Sequence, residues 1–169
     1  MATMNCDGLM TLYEYNAYAN HLVLDGLAQL SEDEFTRTPS PSHSSICKLV
    51  LHLLECEAWF LAMCQGRTME ELNLQTLDDF RRYQSVLENA QQAFITALSE
   101  SDLARDVQIE LGEHPYHLPA WQLLVQAFLH AIQHRAELGI LLGQMGHSLP
   151  TMDIIVHFMH QSGQPWPPK

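Results

Sequence analysis

Apolar residues recur every three to four positions along four long stretches of the chain, which is the period of a helix that buries one face. These stretches predict long helices over residues 9–30, 45–66, 77–98 and 119–145. Between the first two, Ser31 followed by Glu34 has the pattern of a helix-capping box. Pro39 and Pro41 then mark a loop. A short amphipathic turn is expected over residues 152–159, so the pattern as a whole indicates a predominantly helical protein.

The segment before the last long helix follows a different pattern. Residues 107–111 alternate apolar and polar side chains, residues 112–115 are typical of a turn, and residues 116–118 can return as a second strand. Pro119 suits the first position of the helix that follows, and Gly146 suits its end. Four long helices and one strand pair predict the all-α class, as a four-helix bundle with a short β-hairpin before the fourth helix.

Composition narrows the choice of partners. The chain has 169 residues, enough for one domain, which we place at 1–160, with a proline-rich tail at 161–169. Its net charge of -12, with only 8 lysines and arginines, opposes binding to nucleic acids and to anionic membranes. No stretch has the pattern of a signal peptide or of a transmembrane helix, and the 4 cysteines form no Cys-x-x-Cys pair. These features predict a cytoplasmic protein with reduced thiols.

The fourth long helix carries the first candidate for chemistry, two histidines four residues apart. His130 and His134 fall on one helix face, in a stripe that also contains Leu123, Ala127 and Glu137. Two imidazoles at this spacing can bind one metal ion, at distances of about 2.0–2.1 Å if the ion is zinc. Because the chain has 10 histidines, the pair alone is equally compatible with a structural role.

The position of His52 favours a metal site over a structural role for these histidines. It lies in the middle of the second long helix, which is apolar on nearly all sides and is therefore expected to be buried. A half-buried histidine needs a partner for its ring nitrogens. Since the facing helix offers two more imidazoles, we predict that His52, His130 and His134 bind one divalent metal ion. Three neutral imidazoles leave a coordination position open, as catalytic sites do.

Three neighbouring side chains have more than one interpretation. Glu57 is either an acceptor that orients a ligand imidazole or the partner of an arginine across the bundle. Glu137, three residues after His134, either orients that ring, acts as a base or is a polar flank. Cys56, one turn after His52, is interpreted as a small buried side chain rather than as a soft ligand.

Residues 49–60, around His52, and residues 128–135, with the His-x-x-x-His pair, resemble the DinB (YfiT-like) family of metal-binding four-helix bundles. The early segment 15–20 resembles the family as well. The resemblance implies that the three histidines bind a divalent metal together with water. It also implies a homodimer and, for some relatives, a transferase or isomerase that uses a low-molecular-weight thiol such as bacillithiol or mycothiol.

The sequence departs from the family pattern in the fourth long helix. Gln133, Ala136 and Glu137 stand where the family commonly has histidine, glycine and glutamine. The three expected ligands are kept, but the residues around them differ, which leaves the reaction open.

The leading hypothesis is a metal-dependent enzyme that acts on a small molecule together with a low-molecular-weight thiol. Zinc, nickel and iron all suit three imidazole ligands, so the ion is left open. Two alternatives come from other classes. One is a non-catalytic metal-binding or stress-response bundle, and the other is a metal-free helical interaction protein.

Overall fold

The computed structural model describes residues 4–166, which form seven helices and two strands. The helices are α1 (Cys6–Leu27), α2 (Glu32–Arg37), α3 (Ile46–Cys64), α4 (Leu77–Ala97), α5 (Glu100–Leu103), α6 (Ala120–Gln144) and α7 (Ile154–Gln161). The strands are β1 (Asp106–Leu111) and β2 (His114–Pro119). Most of the described residues lie in helices, so the helical class is confirmed together with the strand pair. The four predicted long helices are α1, α3, α4 and α6. The short helices α2 and α7 lie where the capping box and the amphipathic turn were predicted, whereas α5 was not predicted, so the fold has more helices than the four of the predicted bundle.

Side-chain caps fix where several of the helices begin. Capping boxes, in which a hydroxyl and a carboxylate each bind the other residue's backbone N–H, open α2, α4 and α5. Their residue pairs are Ser31 with Glu34, Thr76 with Asp79, and Ser99 with Asp102. The first pair confirms the box predicted from the sequence. The helix α5 has only 4 residues, too few to show a helical period.

The four long helices enclose the main apolar core. α1 packs against α4 and α6, and α3 packs against α6 and α4. Fully buried leucines from α3 and α6, among them Leu54, Leu138 and Leu142, lie in this core. Burial of a leucine side chain contributes about 1.5–3 kcal/mol, so the contact between α3 and α6 is firmly held. The same contact positions the residues described below.

The hairpin leads directly into α6. β1 and β2 pair antiparallel from Asp106 opposite Pro119 to Leu111 opposite His114. The turn is therefore only two residues long, shorter than the predicted 112–115, and Gly112 in it has a φ of 66°, which favours glycine. Pro119 ends β2 instead of opening the helix, because its backbone still pairs with β1.

The last helix, α7, confirms the expected turn near residue 152 and packs on α1. The ring of His157 lies 5.9 Å from that of Tyr15 and 4.9 Å from that of Tyr18, measured between centroids. The Tyr15 hydroxyl donates a hydrogen bond to the Met152 carbonyl just before α7. Part of the predicted tail, residues 167–169, lies outside the described residues.

Two further features that the sequence analysis considered are membrane-spanning helices and the state of the cysteines. Among the described residues, no helix combines the length and the hydropathy that a bilayer span requires. All four cysteines are free.

Candidate metal centre

Three histidine side chains meet between α3 and α6. His52 comes from α3, and His130 and His134 come from successive turns of α6. One nitrogen from each ring lies within 4.8 Å of the other two. The ring centroids are 5.0 Å apart for His52 and His130, 4.9 Å for His52 and His134, and 4.4 Å for the pair on α6. The structure thus brings all three predicted ligands together.

The rings are largely shielded from solvent, and their charged forms are disfavoured. His134 is buried, with 7% of its surface exposed, and His52 and His130 are half-buried. Burial, and then the neighbouring imidazoles, lower the pKa of all three side chains, and for His134 nearby Glu137 only partly opposes this effect. Neutral imidazoles keep a lone pair for a metal ion at neutral pH.

Two of the ring nitrogens at this site have no hydrogen-bond partner in the described part of the chain. Nε2 of His130 and Nε2 of His134 lie 3.1 Å apart. The Nδ1 atoms of both rings are buried and, among the described residues, have no hydrogen-bond partner. Buried polar groups in proteins are rarely left this way. Three imidazoles with lowered pKa values, each with one nitrogen within 4.8 Å of the others, fit a divalent ion of the zinc, nickel or iron type.

Glu137 lies beside the site as an ionised carboxylate. Its Oε2 is 3.5 Å from Nδ1 of His134, close enough for electrostatic attraction but too far for a well-formed hydrogen bond. Burial would raise the pKa of Glu137, but the hydrogen bonds from Ser42 and the nearby donor groups of Ser40 and His134 outweigh it and lower that pKa overall. The carboxylate is thus placed where it could orient the His134 ring, one of the roles predicted for it.

Glu57 has a different role from the one predicted at the metal. It is 1% exposed, and it accepts hydrogen bonds of 2.9–3.0 Å from the side-chain amides of Asn16, Asn20 and Gln91. Among the described residues it accepts none from an imidazole. The other predicted role, pairing with an arginine across the bundle, is closer to what is observed. Glu57 and the arginine are connected through two asparagine side chains and not directly. Arg135 donates to the amide oxygens of Asn16 and Asn20, at 2.6 and 2.7 Å.

Cys56 lies against His52 but is a poor ligand in its own right. Its sulfur is 3.5 Å from Nε2 of His52. Burial, with smaller contributions from Glu55 and Glu57, raises the pKa of the thiol to about 11. Because thiolate is the form that binds metals, Cys56 is closer to the predicted small apolar side chain than to a ligand, but it is half-buried and lines a cleft instead of being fully buried.

A fourth imidazole, which the sequence reasoning missed, lies at the edge of the site. The ring of His43 is 4.7 Å from that of His52 and 5.8 Å from that of His134, between centroids. It belongs to the loop between α2 and α3, where helical periodicity gives no information about side-chain direction. The sequence contained one indication that His43 lies near His52. His43 is two residues before Ser45, which caps the helix that contains His52.

Two clefts give access to His52. One, of about 840 Å³, is lined by His43, Lys48, Glu55 and Glu71 as well as His52. The other, of about 370 Å³, shares the walls formed by His52, Glu55 and Glu71. His130 and His134 line neither cleft, so a small molecule would approach the centre from the side of His52.

Comparisons with known proteins agree with this architecture. The sequence model of the DinB family matches residues 1–165. A DinB-like protein of Bacillus subtilis has a similar fold, with a TM-score of 0.62 at 20% identity, over 84% of this chain and 97% of that one. A DinB-like protein of Bacillus cereus also has a TM-score of 0.62, at 17% identity, over 86% of this chain and 95% of that one. No curated protein sequence matches the chain significantly.

Proposed function

Because this chain belongs to the DinB family, we propose that it is a metal-dependent enzyme acting on a small molecule together with a low-molecular-weight thiol. One observation carries the proposal: nitrogens of His52, His130 and His134, from two packed helices, lie within 4.8 Å of one another. When bound there, a divalent ion would supply Lewis acidity. This would lower the pKa of a thiol or water bound to the ion toward neutrality.

The surrounding residues support such a role. The pKa values of the three histidines are lowered, so protons compete weakly with a metal ion. Glu137 lies beside His134, where it would hold the ring in one orientation. The contact between α3 and α6 keeps the ligand side chains on rigid elements.

The larger cleft supports a small polar substrate. Lys48 offers a positive charge on its wall, and Glu55 and Glu71 offer negative charges. A molecule with both a carboxylate and an ammonium group, as many small thiols have, finds a counter-charge for each. In the proposed reaction the thiol loses its proton and its sulfur forms a bond to an electrophilic carbon, from which a leaving group departs.

The first test is metal analysis of protein purified without an affinity tag. We expect about one divalent ion per chain in the wild type, and its loss in the double variant His130→Ala/His134→Ala. A matched control is His114→Ala/His117→Ala, which removes two exposed histidines of β2 and should keep the ion. Wild-type protein that stays metal-free after loading would refute the site.

The second test is a thiol-transfer assay with the loaded protein. A panel of small thiols and electrophiles should show turnover in the wild type that is lost in His130→Ala/His134→Ala. Metal binding without turnover on any member of the panel would instead support the non-catalytic metal-binding alternative.

A further inference from the structure

The loop over residues 38–45, between α2 and α3, is closed on itself by hydrogen bonds. Its ends meet through a bond of 2.9 Å from the Ile46 N–H to the Thr38 carbonyl. Inside the loop, the His43 N–H donates to Ser40 Oγ at 2.8 Å, and the Ser40 N–H donates to the His43 carbonyl at 2.9 Å. A compact loop whose ends are joined in this way can move as one body about its base.

This loop covers part of the metal centre. Its His43 ring lies 4.7 Å from the ring of His52 and 5.8 Å from that of His134, between centroids. His43 and His52 both line the larger cleft, whereas His130 and His134 line neither cleft. The side chains of His43 and His52 therefore lie between a molecule in that cleft and the two histidines of α6.

Few contacts hold the loop to the rest of the protein. None of the residues from 38 to 44 is buried, and four of them are exposed. Among the described residues, the hydrogen bonds of the loop to α6 all go to Glu137. The Ser42 N–H donates to Oε1 at 3.1 Å, and Ser42 Oγ lies 2.8 Å from both carboxylate oxygens. We call these hydrogen bonds the latch. Because segments without buried apolar contacts open at low free energy, the latch can break while the long helices stay packed.

The latch also fixes the His43 ring. Ser42 Oγ is 2.7 Å from Nδ1 of His43. An ionised carboxylate only accepts hydrogen bonds, so the single hydroxyl proton of Ser42 goes to Glu137. Ser42 Oγ must then accept from Nδ1 of His43, which connects the three side chains in one chain of hydrogen bonds. Loss of the latch therefore frees the His43 ring from α6 together with the loop.

We propose that the loop over residues 38–45 is a lid on the metal centre, held shut by the latch between Ser42 and Glu137. The inference rests on the proposed function, because a small molecule must reach the centre and its product must leave. Opening about the base would move His43 away from His52 and His134, and would connect the larger cleft with the ligands on α6. Lids of this kind exclude water while closed and open for product release.

Amide hydrogen exchange of the metal-free full-length protein tests the latch independently of any metal. In Ser42→Ala, the amide of residue 42 should lose protection by at least about tenfold, because hydrogen bonds to a charged group are lost. The Ile46 amide at the base should keep its protection, because the loop moves as one body. Ser42→Thr keeps the hydroxyl and should behave as the wild type. Ser85→Ala, which removes an exposed hydroxyl of α4, is the control and should change neither amide.

The rate at which excess chelator removes zinc from the loaded proteins tests whether the loop controls access. Ser42→Ala should release zinc about tenfold faster than the wild type, Ser42→Thr and Ser85→Ala. Equal release rates would overturn the lid and leave the three-histidine site intact, even if residue 42 had lost protection. Equal loss of protection at residues 42 and 46 would show that the loop unfolds instead of opening, and would also overturn it. Wild-type protein that binds no zinc would overturn this inference and the proposed function together.

Discussion

Glu57 and Arg135 are two buried charges that meet only through amide side chains. Each carboxylate oxygen of Glu57 accepts from one asparagine of α1, and the oxygens of the same two asparagines accept from Arg135. The side chains are 1% and 2% exposed. A buried charge without its partner is strongly unfavourable, so the network depends on all of its members. Since Arg135 follows His134 directly, the network also helps to set the rotation of α6 at the metal centre.

Replacing Glu57 with alanine should lower the free energy of unfolding by about 3–5 kcal/mol, because Arg135 is left without a counter-charge in the interior. Urea denaturation of metal-free protein measures the change. As a control, Glu113→Ala removes an exposed carboxylate in the hairpin turn and should change the value by no more than about 0.5 kcal/mol. Equal values for the two variants would show that the network contributes little.

Sequence reasoning reached the three histidines because a helix determines where side chains four residues apart must point. It could not reach His43, since the path of the 38–45 loop depends on hydrogen bonds within the loop and on Glu137 from α6. Glu57 was recognised as a buried charge. Its partners could not be identified, because their amides come from two other helices, α1 and α4.

At the scale of elements, α1 and the segment after α6 approach each other closely at Gly26. A Cβ atom at this position would overlap the Leu149 side chain and contact that of Leu142. The glycine thus lets the 147–153 segment lie against α1. Gly143, in the last turn of α6, has nothing within 4 Å of a built Cβ atom, so it is a matched glycine without this constraint.

Gly26→Ala should therefore destabilise the protein, while Gly143→Ala should stabilise it by up to about 1 kcal/mol through the higher helix propensity of alanine. Thermal melting of both variants gives the comparison. Stabilisation by Gly26→Ala equal to that by Gly143→Ala would mean that Leu149 moves aside without loss.

The long helices were predictable because 19 to 25 residues repeat the apolar period several times. The bounds of the short elements could not be predicted in this way. The four residues of α5 and the first residues of β2 carry too little pattern, and their bounds are set by the Ser99 cap and by pairing with β1.

At the scale of the molecule, α6 has a second apolar face. Leu129, Ile132 and Ile140 are 53%, 38% and 63% exposed. Leu129 and Ile132 are three residues apart, and Ile132 and Ile140 are eight apart. These spacings place all three on one stripe of the helix that is turned away from the histidines. We propose that this stripe forms the homodimer interface expected from the family resemblance.

Leu129→Glu should then convert a dimer to a monomer, because a carboxylate would be buried without a partner in the interface. Light scattering during size-exclusion chromatography measures the mass. Val86→Glu, at a residue of α4 that is 63% exposed, is the control and should remain dimeric. A monomeric wild type at high concentration would refute the interface.

The two clefts beside His52 share a wall but contain different volumes, about 840 and 370 Å³. Cys56 and Trp59 line only the smaller cleft, whereas His52, Glu55 and Glu71 line both. A single ligand with one arm in each cleft would therefore contact His52 in both.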